Sequence, residues 1–325
     1  MKSVKYKPIR FFVSIVLFLT TMFLSIMIFL SELNITRANQ SDDNLFPQQY
    51  KIITPNIPDY LEFAGEPVPV YNFEVRERIE REFIVNTYFH SFTIIAIKRA
   101  NRWFPVIEPI LDKNNIPDDF KYLCAAESNF ENVISPVGAT GFWQFMEETG
   151  KKYNLKINDQ VDERYHVEKS TQAACDYLNE AYEKFGSWTM VAASYNMGID
   201  GIENQIERQK SNNYYNLMLS IETSRYIPRI VAIKYILQNK EAYGFEIGDD
   251  ELYEPLKFYE ITLDSSIASF ADYAISLGLN YKTLKIYNPW LRDNNLTNRT
   301  GNRYNIKIPE PGSIEIIEDV INDLK

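Results

Sequence analysis

Phe120-Lys121-Tyr122-Leu123-Cys124-Ala125-Ala126-Glu127-Ser128-Asn129-Phe130 opens the stretch that decides the fold, and Ser135-Pro136-Val137-Gly138-Ala139-Thr140-Gly141-Phe142-Trp143-Gln144-Phe145-Met146 completes it. Phe120, Leu123, Cys124 and Glu127 recur at i, i+3, i+4 and i+7, which is one face of an α-helix. Three of these side chains call for burial and the fourth is a carboxylate. A carboxylate held among apolar groups loses hydration, so its protonated form is favoured and its pKa rises toward neutrality. That is the condition a proton donor needs near neutral pH. Small residues spaced closely among Trp143, Gln144 and Met146 then suggest backbone lying against a ligand groove rather than simple core filling.

Outward from this stretch the chain reads as mainly α-helical. Pro117 and Asp118 mark the start of the helix that carries Glu127, placing the acid near its end. Residues 73–104 read as helical, with Glu74 to Glu82 interleaving opposite charges as a solvated face and Phe83, Phe89, Phe92, Ile95 and Trp103 on the buried side. Residues 105–240 alternate helical patterns with short Gly, Asn and Pro breaks, and Ser170 or Thr171 is the expected cap of a helix bearing Ala173, Ala174 and Tyr177. From about residue 253 the texture changes. Two β-prone runs, Phe258 to Leu263 and Tyr304 to Pro309, bracket two helical patterns, Ile267 to Leu277 and Tyr281 to Tyr287.

Composition narrows the function. With 325 residues the chain holds one good-sized domain and a smaller one, and 45% hydrophobic with 24% charged residues is globular rather than disordered. A net charge of -10 argues against nucleic acid, whose phosphates such a surface repels. Cys124 and Cys175 both sit in apolar helical patterns and read as buried free thiols. His90 and His166 stand in no metal-ligand spacing, so neither a zinc site nor a thiol nucleophile is expected.

The N-terminus states a location. Lys2, Lys5, Lys7 and Arg10 form a basic tail over residues 1–10, followed by an uncharged run from Phe11 to Leu30 that is long enough to span a bilayer. The basic flank stays in the cytoplasm, so the remainder emerges on the outer side of that membrane. Retention of residues 11–30 as an anchor is the favoured reading, and cleavage as a signal peptide is the other. Residues 31–58, polar and holding Pro47, Pro55 and Pro58, read as a tether.

Further blocks complete a pattern: Asp162-Glu163-Arg164, Ser170-Thr171-Gln172-Ala173-Ala174-Cys175-Asp176-Tyr177-Leu178, Tyr195-Asn196-Met197-Gly198 and Glu222-Thr223-Ser224-Arg225-Tyr226-Ile227-Pro228. With the Glu127 and Ser135–Met146 blocks, they resemble the lytic transglycosylases that cleave bacterial peptidoglycan, in particular the group of the membrane-bound lytic murein transglycosylase D (the SLT domain). The likeness runs from about residue 59 to 240. It implies a lysozyme-like helical catalytic domain over 59–245. The β-α-α-β order over 253–312 resembles a degenerate LysM carbohydrate-binding module, with Leu263-Asp264-Ser265-Ser266 where LysM usually has Gly-Asp-Thr. A small packing module without ligand is the alternative there.

The resemblance also implies the chemistry. Glu127 acts alone as acid and then base on the MurNAc–GlcNAc β-1,4 bond, leaving 1,6-anhydro ends without water, metal or cofactor. Most glycosidases use a second carboxylate, but Glu131, Glu147 and Glu148 read as exposed helix charge. Carried over residue by residue, Ser135 bonds Glu127 or an N-acetyl group, or is only a turn hydroxyl. Gln144 binds substrate or satisfies backbone; Met146 packs on a sugar face or is core. Tyr195 and Asn196 present polar tips to the cleft, while Glu222 and Tyr226, four apart, complete its far wall. Asp162, Glu163 and Arg164 are assigned to structural pairing, and His166 departs from the Asp usual in relatives. The implied partners are peptidoglycan glycan strands and, through the N-terminal helix, the inner membrane, with the catalytic domain in the periplasm. A water-using hydrolase resembling goose-type lysozymes and a non-catalytic wall-binding protein are the competing functions.

Overall fold

The computed structural model describes residues 22–27 and 52–313, and the chain divides into a unit of residues 1–54 and one of residues 55–325. In the first unit residues 22–27 are helical. The basic tail, most of the expected span 11–30 and most of the linker 31–58 lie outside the described residues. Among the described residues no helix is long and apolar enough to cross a membrane.

The second unit is mainly helical, as expected from the sequence, with a small sheet at its C-terminal end. A two-stranded hairpin, Glu62–Phe63 with Glu66–Pro67, precedes the helices Phe73–Tyr88 and His90–Lys113. The single helix read over 73–104 is thus two, and the second runs on through Pro105 and Pro109. The break falls at Phe89, whose φ of -86° and ψ of 61° leave the helical region; its N–H bonds back to Val85 O, and the Thr93 hydroxyl donates to Asn86 O across the gap. Prolines end helices only as a tendency, because neighbouring packing outweighs the lost bonds.

Helices Phe120–Ser128, Val167–Phe185, Trp188–Met197 and Ile221–Gln238 pack into the principal core. Phe120, Leu123 and Cys124 are fully buried, which confirms the apolar face read from their spacing. Cys124 and Cys175 are free, buried thiols. Ser170 and Thr171 do not cap the helix around them. It starts earlier, at Val167, and both hydroxyls donate to Val167 O. Thr171 Oγ1 instead accepts the Trp143 indole N–H at 2.8 Å, fixing the groove motif to this helix.

Asp162 and Arg164 form the ion pair expected of them, at 2.7 Å, and Arg164 Nη1 reaches Phe145 O at 3.2 Å. His166 stands beside Glu168, its Nδ1 3.1 Å from Oε2.

The C-terminal module has the β-α-α-β order read from the sequence: strand Phe258–Leu263, helices Phe270–Ser276 and Tyr281–Tyr287, strand Tyr304–Pro309. The strands pair antiparallel with Glu260 opposite Lys307 and Thr262 opposite Asn305. Leu263, Phe270, Leu284, Trp290 and Ile306 make its own small core, into which Val161 and Tyr165 of the preceding helical segment also pack. Backbone joins the two: Asp162 N–H donates to Trp290 O and Arg292 N–H to Gln160 O, at 2.9 and 2.8 Å.

Candidate active site

Helix Phe120–Ser128 ends where Asn129 turns left-handed, at φ 53°, and its N–H bonds Ala125 O. Phe130 is left-handed as well, at φ 55°. This double reversal stops the helix one turn after its buried face and leaves Glu127 in the last turn. Glu127 is half-buried. The next residue, Ser128, donates its hydroxyl to Phe142 O at 2.8 Å and so ties the helix end to the glycine-bearing loop.

Burial is the largest influence on the Glu127 carboxyl. It outweighs the hydrogen bond from Tyr226 and the positive charge of Arg229, which favour the ionised form, while Glu222 acts in the same direction as burial. The pKa is raised from 4.5 to about 7. The carboxyl is therefore divided between its two protonation states at neutral pH, the condition for a group that must give and later take a proton.

The wall facing it is helix Ile221–Gln238, capped by Ser220, whose hydroxyl accepts Thr223 N–H at 3.1 Å. Tyr226 is buried and donates to Glu127 Oε1. Glu222 is exposed, one turn earlier. Asn196 links the two helices: its amide donates to Glu222 Oε1 at 3.1 Å, and its carbonyl accepts the Thr223 hydroxyl at 2.8 Å. Arg229 was not singled out from the sequence. Yet Glu222, Tyr226 and Arg229 fall at i, i+4 and i+7, so the spacing that marks the first two contained the third. The buried Glu82 anchors this cationic flank, with Arg225 Nε at 2.6 Å and Arg229 Nε at 3.7 Å. Glu82 had been read as part of a solvated face, a pattern that could not reveal it.

The remaining expected residues divide. Tyr195 does not point its hydroxyl into open space. It donates to Trp143 O at 2.8 Å, and its ring packs edge-on against Tyr177. Ser135 Oγ accepts Ala139 N–H at 3.0 Å and no bond joins it to Glu127, so it adopts the turn role. Gln144 sits left-handed, at φ 49°, and its amide donates to Gly141 O and Val133 O at 2.8 and 3.1 Å. Its side-chain nitrogen is thus committed to backbone. Met146 is 45% exposed, available as an apolar face rather than core.

Gly141 explains why the loop can lie so close. Its φ is 83°, and a Cβ there would sit 2.0 Å from the Arg164 carbonyl oxygen. Only glycine meets both demands.

Among the described residues no group of His, Cys, Asp and Glu is arranged to hold a metal ion. A 530 Å³ cavity lies elsewhere, between the N-terminal hairpin and residues 212–216; Glu66 lines it while its carboxylate accepts the N–H groups of Trp188 and Thr189. Its carboxylate is spent on a helix N-terminus.

Comparison with known proteins finds likenesses along much of the chain. Residues 105–218 match the family described as the transglycosylase SLT domain, and residues 259–312 match the soluble lytic transglycosylase C-terminal LysM-like domain. The chain is 28% identical over 271 residues to the membrane-bound lytic murein transglycosylase D of Escherichia coli K12 and equally to that of Escherichia coli O6:H1. The match covers 81% of this chain and 58% of each relative, so the chain spans a little over half their length. A solved lytic transglycosylase Slt, an inactive mutant from Pseudomonas aeruginosa, aligns at a TM-score of 0.35 and 18% identity over 46% of this chain and 26% of that one. That likeness is too slight to carry the fold.

Proposed function

We propose that the chain is a peptidoglycan lytic transglycosylase acting in the bacterial cell envelope, with Glu127 as its single acid and base. One observation carries the reading: a half-buried carboxyl with a pKa of about 7, hydrogen-bonded by Tyr226, within the SLT-matching segment.

The bond between MurNAc C1 and the GlcNAc oxygen breaks as Glu127 gives its proton to that oxygen, which leaves as a hydroxyl. The carbonyl oxygen of the sugar's own N-acetyl group supports the electron-poor C1. Glu127, now a carboxylate, takes the proton from the 6-hydroxyl as O6 bonds to C1. Glu127 ends protonated, as it began, and no water is consumed. Exposed Met146 offers an apolar contact to a sugar face, and Asn196 with Glu222 offers polar contacts. The apolar run 11–30 tethers the enzyme to the inner membrane, with the catalytic domain on the periplasmic side.

Mass spectrometry of wall fragments tests this. Wild-type digests should carry 1,6-anhydro ends, lighter by one water than reducing ends, and Glu127→Gln should give neither. Reducing ends would establish a hydrolase instead, and lysis by Glu127→Gln would remove Glu127 from the chemistry.

A further inference from the structure

The two-stranded sheet of the C-terminal module turns one face toward residues 166–169. Alternation along the strands puts Glu260 and Thr262 on that face with Arg303, Asn305 and Lys307, since 260 pairs with 307 and 262 with 305. Opposite them stand His166, Glu168 and Lys169. Between lies a cleft of 220 Å³, walled also by Trp290.

Most of the charges around it are already paired. Glu168 receives Lys307 and has His166 Nδ1 3.1 Å away, and its carboxyl is held down at about 2 although burial alone would raise it. Lys169 pairs with Glu163. Arg303, Glu260 and the Trp290 indole N–H remain, and the buried His166 Nδ1 and Glu168 Oε2 also lack a hydrogen-bond partner. Arg303, exposed, has no ion pair or hydrogen bond among the described residues, and Glu260, also exposed, has only the Asn305 amide, at 2.9 Å, with no cation. The Trp290 indole N–H is buried without an acceptor; Trp290 is 2% exposed. A buried donor without a partner gives up hydration and gains no bond in return, which is why such groups in native proteins call for an explanation.

We propose that this cleft binds a zwitterionic peptide end: a carboxylate on Arg303, an ammonium on Glu260, and a carbonyl accepting from Trp290 Nε1. A simple anion would meet Arg303 but also the Glu260 charge, and a simple cation the reverse. A ligand bearing both signs meets both of these exposed charges at once. Size agrees, because 220 Å³ holds a residue or two and not a glycan chain. Since the walls come from both modules, the site exists only while they are docked. The natural source is a peptide borne by the wall polymer, a step that rests on the function proposed above. It would retain the chain on peptide-bearing strands, apart from the bond being cut.

The test uses the full chain and follows the indole N–H resonance of Trp290 by NMR, assigned from its absence in Trp290→Phe. The probes are alanyl-alanine, its N-acetyl derivative, its C-terminal amide, and sodium acetate. Alanyl-alanine should shift the resonance saturably. Each blocked form should bind at least about tenfold more weakly, the loss of one charge-assisted bond. Arg303→Gln and Glu260→Gln should each cause a similar loss, and neither should change the rate of wall lysis on peptide-free glycan. A zwitterion that produces no saturable shift, blocked forms that bind equally, or variants that bind like wild type would overturn the proposal. Glu127→Gln should leave probe binding intact. Lysis failing while binding stands would therefore sink the proposed function alone.

Discussion

Tyr226 donates its hydroxyl to Oε1 of Glu127, joining residues 99 apart in sequence across two helices of the core. The bond works against the environment that makes the acid useful. Burial drives the carboxyl toward its neutral form, while a hydroxyl donating to it favours the anion, as does the Arg229 charge. Their balance near pH 7 serves both halves of the proposed reaction: the neutral acid protonates the leaving oxygen and the anion collects the 6-hydroxyl proton.

The free enzyme must hold the proton to start, so the pH profile has a defined sign. The ratio kcat/KM should be level in mild acid and fall about tenfold per pH unit above roughly 7, where Glu127 ionises. Titration of lysis against pH with a soluble glycan substrate checks this. A limb centred near pH 4.5 would mean the carboxyl is not held away from water.

Tyr226→Phe removes the donor and keeps the ring. The anion loses a partner, so the alkaline limb should move to higher pH, and kcat should drop about tenfold as the carboxyl loses its fixed orientation. Comparing the two pH profiles separates these effects. A fall in rate with an unmoved limb would show that Tyr226 holds only the fold.

Glu127 should also cost stability. Its folded pKa is raised, so the folded state holds the proton more tightly than the unfolded one. Stability therefore declines as pH rises from about 4.5 to about 7 and stays lower beyond. The full shift corresponds to roughly 3 kcal/mol, less after allowance for partial exposure. Glu127→Gln should accordingly raise Tm at pH 8 and leave it nearly unchanged at pH 4. Calorimetry at both pH values decides; an equal change at both would separate the effect from ionisation.

Much of this site was legible as spacing. Phe120, Leu123, Cys124 and Glu127 announced a helix with an acid on its apolar face, because helical periodicity is local. The β-α-α-β order of the C-terminal module was legible for the same reason. What spacing could not convey was the direction in which polar tips point. Tyr195 lies in the expected block, yet its hydroxyl serves Trp143 O, because a buried phenol must find an acceptor wherever the fold supplies one. Glu82 looked like one charge among many in a solvated run. Its burial depends on Arg225 and Arg229, which lie more than 140 residues away in the chain.

Gly141 and Gly186 separate two reasons for a backbone position without a side chain. Both have positive φ, 83° and 64°, so alanine at either carries a conformational cost of about 1 kcal/mol. Around Gly186 nothing lies within 4 Å of an added Cβ. At Gly141 that Cβ would stand 2.0 Å from Arg164 O and 2.8 Å from its carbonyl carbon, and both are backbone that cannot rotate away. The loop would have to retreat, taking Phe142 O from the Ser128 hydroxyl that secures the helix end beside Glu127. Gly186→Ala should therefore lower stability by about 1 kcal/mol with activity intact. Gly141→Ala should lose more than about 3 kcal/mol and nearly all lysis. Urea unfolding of the two variants, run beside the lysis assay, measures the contrast, and equal losses would show that the close approach at Gly141 carries no weight.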